Sequence, residues 1–457
     1  MSAYVPPYPV RPKTTPPPLT LLRLARRNLL SVWTEEAFEL PVFSHRVFRR
    51  NVVVINSPEI VKQTFVDGAA DIERKTFQQR SALRPLAGDG LIISDGDTWR
   101  RRRKAIAPVT HVSRLPLLTE PISEGAWAEA ERWRALPTGA EIDVLAGMAH
   151  LTAGIICATI FGRALGRAAT GTVVTAFGVY QTLINQLDVM SLLGVPDLLP
   201  RFQGWRIRAA ARRIHKVVDA LIAQIMDPNA SGEPSLLRTM AETKLADTDA
   251  PMDRRAFRNE AAVMFLAGHE TTANTLAWAW FLLSQDHEAE RRLHAEVDAV
   301  LPLDGPARHE HLASLPFARA IIEETLRLYP PVPLQARQAS APMSVAGRAL
   351  RKGDIVILNA WTLHRNRKLW AEPDSFIPDR FMPGGSGIPS RYAYVPFSIG
   401  PRICTGAAFG LAEAVLCLAT LSRHIRLRLR PGHVVEPVCR LSLRPGEVLP
   451  MTVQHRR

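Results

Sequence analysis

Residues 261–283 are almost continuously apolar, and that stretch constrains the fold more than any other feature of the chain. Its length alone matches the roughly 20 residues that cross a bilayer. Its middle does not: Gly268-His269-Glu270-Thr271-Thr272-Ala273-Asn274 puts small and polar groups where lipid penalises them most. A helix buried inside a large protein core, crossing over a cofactor, accounts for both facts. From about Trp99 to Leu328 the chain shows helical periodicity with short polar breaks. Residues 49–55 are rich in β-branched side chains and predict a strand, and residues 58–66 predict a helix. Strand signals return at 343–358, around Gly347 and Gly353, and hairpins are predicted in 426–453 at Pro431-Gly432 and Pro445-Gly446. Residues 372–396 are proline-rich and read as irregular. The expected fold class is mostly α with a small β-rich lobe built from both ends of the chain.

The 457 residues, 47% of them hydrophobic, can bury a sizeable core. No repeat or long linker divides them, so a proline-rich lead over 1–20 and a single domain over 21–457 are expected. The cysteines, Cys157, Cys404, Cys417 and Cys439, lie far apart with no Cys-x-x-Cys pair. That argues against a disulfide framework or zinc ribbon and for a reducing, cytoplasmic setting. No signal peptide is apparent, and no transmembrane segment is expected. Residues 21–33 are broken by Arg23, Arg26, Arg27 and Asn28 and read as an ordinary first helix, with a surface-lying amphipathic helix as the alternative. The formal charge is +14, and no nucleic-acid motif accompanies it. Two readings stay open: arginine written over every solvated face, or a surface that docks an acidic partner.

The run Phe397-Ser398-Ile399-Gly400-Pro401-Arg402-Ile403-Cys404-Thr405-Gly406 carries the chemistry. It reads as a loop that delivers one thiolate to a heme iron. A thiolate ligand needs a lowered pKa, which a following helix N-terminus supplies, and 407–421 is an apolar helix former. Gly400 would permit the sharp turn before the ligand, and Gly406 would let backbone approach a flat macrocycle. Arg402 would be a fixed cation for a propionate, and Phe397 would shield the sulfur. On the apolar helix, Gly268 would leave room against the heme, and a threonine hydroxyl bonded to the preceding turn would open a gap for dioxygen. Glu270 and Thr271 then stand where protons must arrive. A zinc-protease reading of His269-Glu270 fails, because position 273 is Ala273.

At these residues the chain resembles the heme-thiolate monooxygenases, the cytochromes P450, of soluble bacterial type. The resemblance runs from Trp99 to Gly406 and implies the helical prism of that family around a buried heme b (iron protoporphyrin IX), with Cys404 as proximal ligand. It places proton delivery on Glu270 and Thr271, and puts Ala267 and Gly268 at the heme. Glu324 and Arg327, in Glu324-Thr325-Leu326-Arg327, would meet Arg380 in a buried network. Trp99, Arg103 and Arg337 would contact the propionates, while Arg100, Arg101 and Arg102 would form a basic solvated face. The implied pocket draws on the loop 79–91, Met264, Ala267, residues 332–334 and Leu443. The implied reaction inserts one atom of O2 into an apolar or weakly polar substrate. Electrons would come from a separate ferredoxin or flavodoxin type donor with its reductase, docked on a basic face including part of 100–104. Ser398 stands where glycine is common and Gly410 where alanine is common. Rival readings are a peroxide-driven or isomerising enzyme on the same scaffold, and a basic nucleic-acid or membrane binder without heme.

Overall fold

The structure, a computed structural model, describes residues 3–162, 167–183, 205–225, 235–242 and 252–456. The apolar stretch lies in one long helix, Arg254–Gln285, at the centre of the fold. Asp253 caps its start by accepting from the Ala256 N–H at 2.8 Å. Asp286 ends it and caps the next helix, His287–Val300, accepting from Ala289 N–H at 3.0 Å. Against the central helix packs Val144–Phe161, begun by Asp143 and ended by Gly162 in the left-handed region. By length and composition Val144–Phe161 could cross a membrane, yet 67% of it is buried among other helices. A helix enclosed on several faces needs apolar residues all round, so its composition follows from its place in the core. Helices Glu120–Arg134, Pro316–Leu328 and Ala407–His424 complete the inner layer.

Among the described residues a five-stranded sheet runs in the order Val42–Val47, Arg50–Ile55, Ile355–Asn359, Leu334–Gln338, Arg74–Lys75. Arg50–Ile55 and Ile355–Asn359 pair in parallel, and the other neighbours are antiparallel. Val53, Ile55, Val356 and Leu358 bury a second small core with Val61 and Phe65. The register sets Lys75 directly opposite Arg337. The tail strand Pro450–His455 pairs on one side with Ile425–Leu429 and on the other with Glu141–Asp143. A mostly helical chain with a β portion from both ends is what the periodicity predicts.

Two expectations need correction. The proline-rich lead is packed onto the domain: Tyr329 donates its hydroxyl to the Pro7 carbonyl at 2.6 Å, and Arg11, 9% exposed, pairs with Asp374 at 3.0 Å. Prolines stiffen the segment without preventing docking, because they cost little entropy to order. Residues 79–91 are not all loop: Phe77–Ala87 is a helix, capped by Thr76.

Candidate active site

Three of the four cysteines are buried, and Cys404 is exposed. Its backbone N–H donates to the Phe397 carbonyl at 2.9 Å, which folds the loop back on itself. Gly400 makes the turn at φ 71°, and a Cβ there would lie 2.1 Å from the Phe65 carbonyl oxygen. No side chain fits. Ser398 holds φ 68° without being glycine, an uncommon and costly conformation. Helix Ala407–His424 starts directly after Gly406, beside which a Cβ would meet nothing within 4 Å. Cys404 keeps an open surface, yet the protein packed around its sulfur raises the thiol above its usual value, against the lowering expected from the helix start, while the Gly406 N–H and the Arg103 guanidinium pull it down. Arg103 donates to the Ile403 carbonyl at 2.7 Å, so it stands beside the cysteine. Its hydrogen bond goes to the cysteine loop.

The strongest test of whether heme fits is a surplus of buried positive charge. Arg402 lies over the Trp99 ring at 4.1 Å, donates to the Ser94 carbonyl at 2.9 Å, and leaves its Nε and Nη1 without partners. Arg337 is 2% exposed and donates only to the adjacent Ala336 carbonyl at 3.1 Å among the described residues. Lys75 sits opposite it. Burial and the Arg402 charge push Arg337 down to about 9, burial pushes Arg402 down to about 10, and Lys75 falls well below its usual value. Asp95, 3.5 Å from Arg402, and Glu73 are the nearby carboxylates, and Asp95 also serves Arg80 at 3.1 Å. Enclosed cations that outnumber their counterions are costly, so this pocket favours an anion with more than one charge. The two propionates of heme b match that need. Lys75 was missed in the sequence, where it sits in a two-residue strand with no motif around it.

On the central helix, Ala267 is exposed and Thr271 donates its hydroxyl to the Ala267 carbonyl at 2.7 Å. Gly268 has a different reason from the expected one. A Cβ there would lie 2.5 Å from Ile156 Cδ1, so the glycine lets Val144–Phe161 approach and is not explained by room against the heme. His269 is buried, stacked on Phe265 at 4.7 Å and hydrogen-bonded to the Phe265 carbonyl at 3.0 Å. Glu270 accepts from Gln181 Nε2 and from Ser442 Oγ. Neither partner was anticipated.

Glu324, Arg327 and Arg380 come together as the resemblance implies. Arg327 grips Glu324 in a fork at 2.6 and 2.8 Å, and Arg380 Nε lies 3.4 Å from Glu324. Arg327 also donates to the carbonyls of His364, Pro373 and Ser375 at 2.7–2.9 Å, tying the irregular segment to the helix. Arg102 departs from the basic solvated face. It is 7% exposed and paired with the fully buried Glu260 at 2.9 Å. Arg100 remains exposed, pairing with Asp97 at 3.1 Å, and Lys104 is exposed. Of the implied pocket, Leu443 is fully buried and its N–H donates to the Pro331 carbonyl at 3.0 Å, while Met264 is partly buried and Val332 is 40% exposed.

A family model described as cytochrome P450 matches residues 11–449. Cyclooctatin synthase of Streptomyces melanosporofaciens is 30% identical, over 88% of this chain and 86% of its own length. Cyclooctat-9-en-7-ol 5-monooxygenase from the same organism is 29% identical, over 87% and 85%. Human cytochrome P450 4V2 is 28% identical, over 86% and 78%. The crystal structure of the cytochrome P450DA heme domain superposes with a TM-score of 0.81 at 22% identity, covering 99% of this chain and 98% of that one. With a cysteine loop, a pocket carrying excess positive charge and this architecture in place, the chain belongs to the cytochrome P450 family of heme b monooxygenases.

Proposed function

We propose that this protein inserts one oxygen atom from O2 into an apolar or weakly polar organic substrate, with electrons arriving singly from a separate acidic donor of ferredoxin or flavodoxin type and its reductase. The observation that carries the reading is the exposed Cys404 held beside the surplus of buried cations. In this reading Cys404 ligates the iron, Arg337, Arg402 and Lys75 hold the propionates, and Gly406 leaves room for the ring. Bound heme supplies the site where dioxygen is reduced and split. Thr271 and Glu270 manage protons: the hydroxyl is fixed on the Ala267 carbonyl, and the carboxylate stands in the preceding position of the helix.

The similarity to the Streptomyces cyclooctat-9-en-7-ol 5-monooxygenase directs the substrate search to carbocyclic alcohols such as cyclooctat-9-en-7-ol. Ala267, Met264 and Val332 would shape an apolar surface for such a ring. Arg100 and Lys104, exposed on the same helix as Arg103, offer positive charge beside the ligand loop to an acidic donor. The test has two parts. The reduced protein under carbon monoxide gives a heme-thiolate spectrum that Cys404→Ser abolishes, and carbocyclic alcohols shift the spin state. A protein that takes up no heme ends the reading. Turnover with peroxide alone, unimproved by electron donors, would favour the peroxide-driven alternative.

A further inference from the structure

We infer that Gln181 and Ser442 hold the Glu270 carboxylate in one orientation for proton delivery, and that Arg444 and Asn274 act on the reaction as positioning residues behind them. The inference rests on the monooxygenase reading above. When one atom of O2 enters the substrate, the other leaves as water, which takes two electrons and two protons. A carboxylate that passes those protons must face the same way in each cycle, because proton transfer falls off steeply with geometry.

The carboxylate is held from one side. Gln181 Nε2 and Ser442 Oγ both donate to Glu270 Oε1. Oε2 has no partner among the described residues, which leaves it as the oxygen that exchanges protons. Each donor is itself aimed. Arg444 Nη2 donates to Gln181 Oε1, and a guanidinium can only donate, so the amide must turn its NH2 toward Glu270. Asn274 Nδ2 donates to Ser442 Oγ at 3.1 Å, so the hydroxyl hydrogen is left for Glu270. Gln181 and Ser442 are each 3% exposed and Asn274 is 2% exposed, so water does not compete for these donors. The residues come from three elements: helix Arg167–Leu183, the central helix, and the tail strand Leu443–Arg444 with the residue before it. A buried polar cluster that served the core alone would need its atoms satisfied, but it would not need both of its donors on the same oxygen of a half-exposed acid.

The experiment uses heme-loaded protein, its electron donors and a turned-over substrate. Ser442→Ala and Arg444→Leu are compared with the native chain and with Arg444→Lys, which keeps one donor. The expected result is that the ratio of electron-driven to peroxide-driven turnover drops about tenfold in Ser442→Ala and Arg444→Leu, and recovers in part in Arg444→Lys. In parallel, the Glu270 carboxylate band, isolated by infrared difference against Glu270→Gln, moves in Ser442→Ala before any electron is added. A native ratio in both variants, or an unmoved band in Ser442→Ala, at full heme content would overturn the inference. So would an equal loss of both turnovers, which marks a collapsed pocket. Failure of the underlying reading would look different, since the native protein itself would then give no electron-driven product.

Discussion

Arg102 reaches from helix Gly96–Ile106 to Glu260 on the central helix, Nη1 to Oε1 at 2.9 Å, in an enclosed ion pair. Glu260 also accepts from the Leu91 N–H at 3.0 Å, and Arg102 Nη2 donates to Asp89 at 2.9 Å. Asn259 donates to the same Asp89 at 2.7 Å. The pair therefore pins the segment after helix Phe77–Ala87 onto the central helix, next to the implied pocket. Replacing Arg102 by Met leaves Glu260 buried with its main cation gone. The expected cost is ~3–5 kcal/mol, read as a lower denaturation midpoint at unchanged slope. The double variant Arg102→Met with Glu260→Met should recover most of that loss. If it is no better than the single variant, the two side chains act independently.

Glu324 is fully buried between Arg327 and Arg380 and also accepts from the Ile377 N–H at 2.8 Å. Glu324→Ala strands two buried guanidinium groups and one backbone donor. A cost of ~3–5 kcal/mol follows, and the expected product is misfolded or heme-free protein. Heme absorbance per mole of purified chain measures it. A variant with full heme content would show that the irregular segment is held without this carboxylate.

Much of this architecture is legible in the sequence, and the reason is local. Cys404, Gly400 and Arg402 lie within a few residues of one another, and the turn they make is fixed by their own backbone. Glu324 and Arg327 share a helical face, so their pairing follows from spacing. The rest depends on direction and on distant partners. Arg100 to Arg103 read as one basic run, yet a helix turns about 100° per residue, so Arg102 points into the core while Arg100 meets water. Charge carries no sign of which way it faces. Gly268 signals close approach but not by what, and Ile156 is far away in the chain. Gln181 and Ser442 meet at Glu270 from elements on either side of it, which no single window of sequence displays.

Gly268 offers a test of helix packing separate from chemistry. The added methyl of Gly268→Ala would lie 2.5 Å from Cδ1 and 2.7 Å from Cγ1 of Ile156. Overpacking of this kind costs about 1–3 kcal/mol. Adding Ile156→Ala removes both atoms and should narrow the difference between Gly and Ala at 268 to near zero. Thermal denaturation of the four proteins in the cycle gives the coupling. If Ala at 268 costs the same in both backgrounds, Ile156 is not what the glycine accommodates.

Glu413, on the helix that follows Cys404, is fully buried and has no ion-pair partner among the described residues. Burial pushes it up to about 8, with the nearby Thr272 hydroxyl pulling the other way. An acid whose folded value lies above its unfolded one binds its proton more tightly when folded. Its contribution to stability is therefore complete below the unfolded value of 4.5 and is lost as pH rises through about 8. Within that window the native protein should lose stability from this group by up to about 1.4 kcal/mol per pH unit. Glu413→Gln keeps the size and cannot ionise. Its stability relative to native should rise steadily from pH 5 to pH 8, because only the native chain must bury a carboxylate or keep a proton against the solvent. Denaturation of both heme-loaded proteins across that range cancels every other titrating group they share. A difference that stays flat with pH would mean that Glu413 is already ionised in the folded chain, or that water reaches it between the two helices.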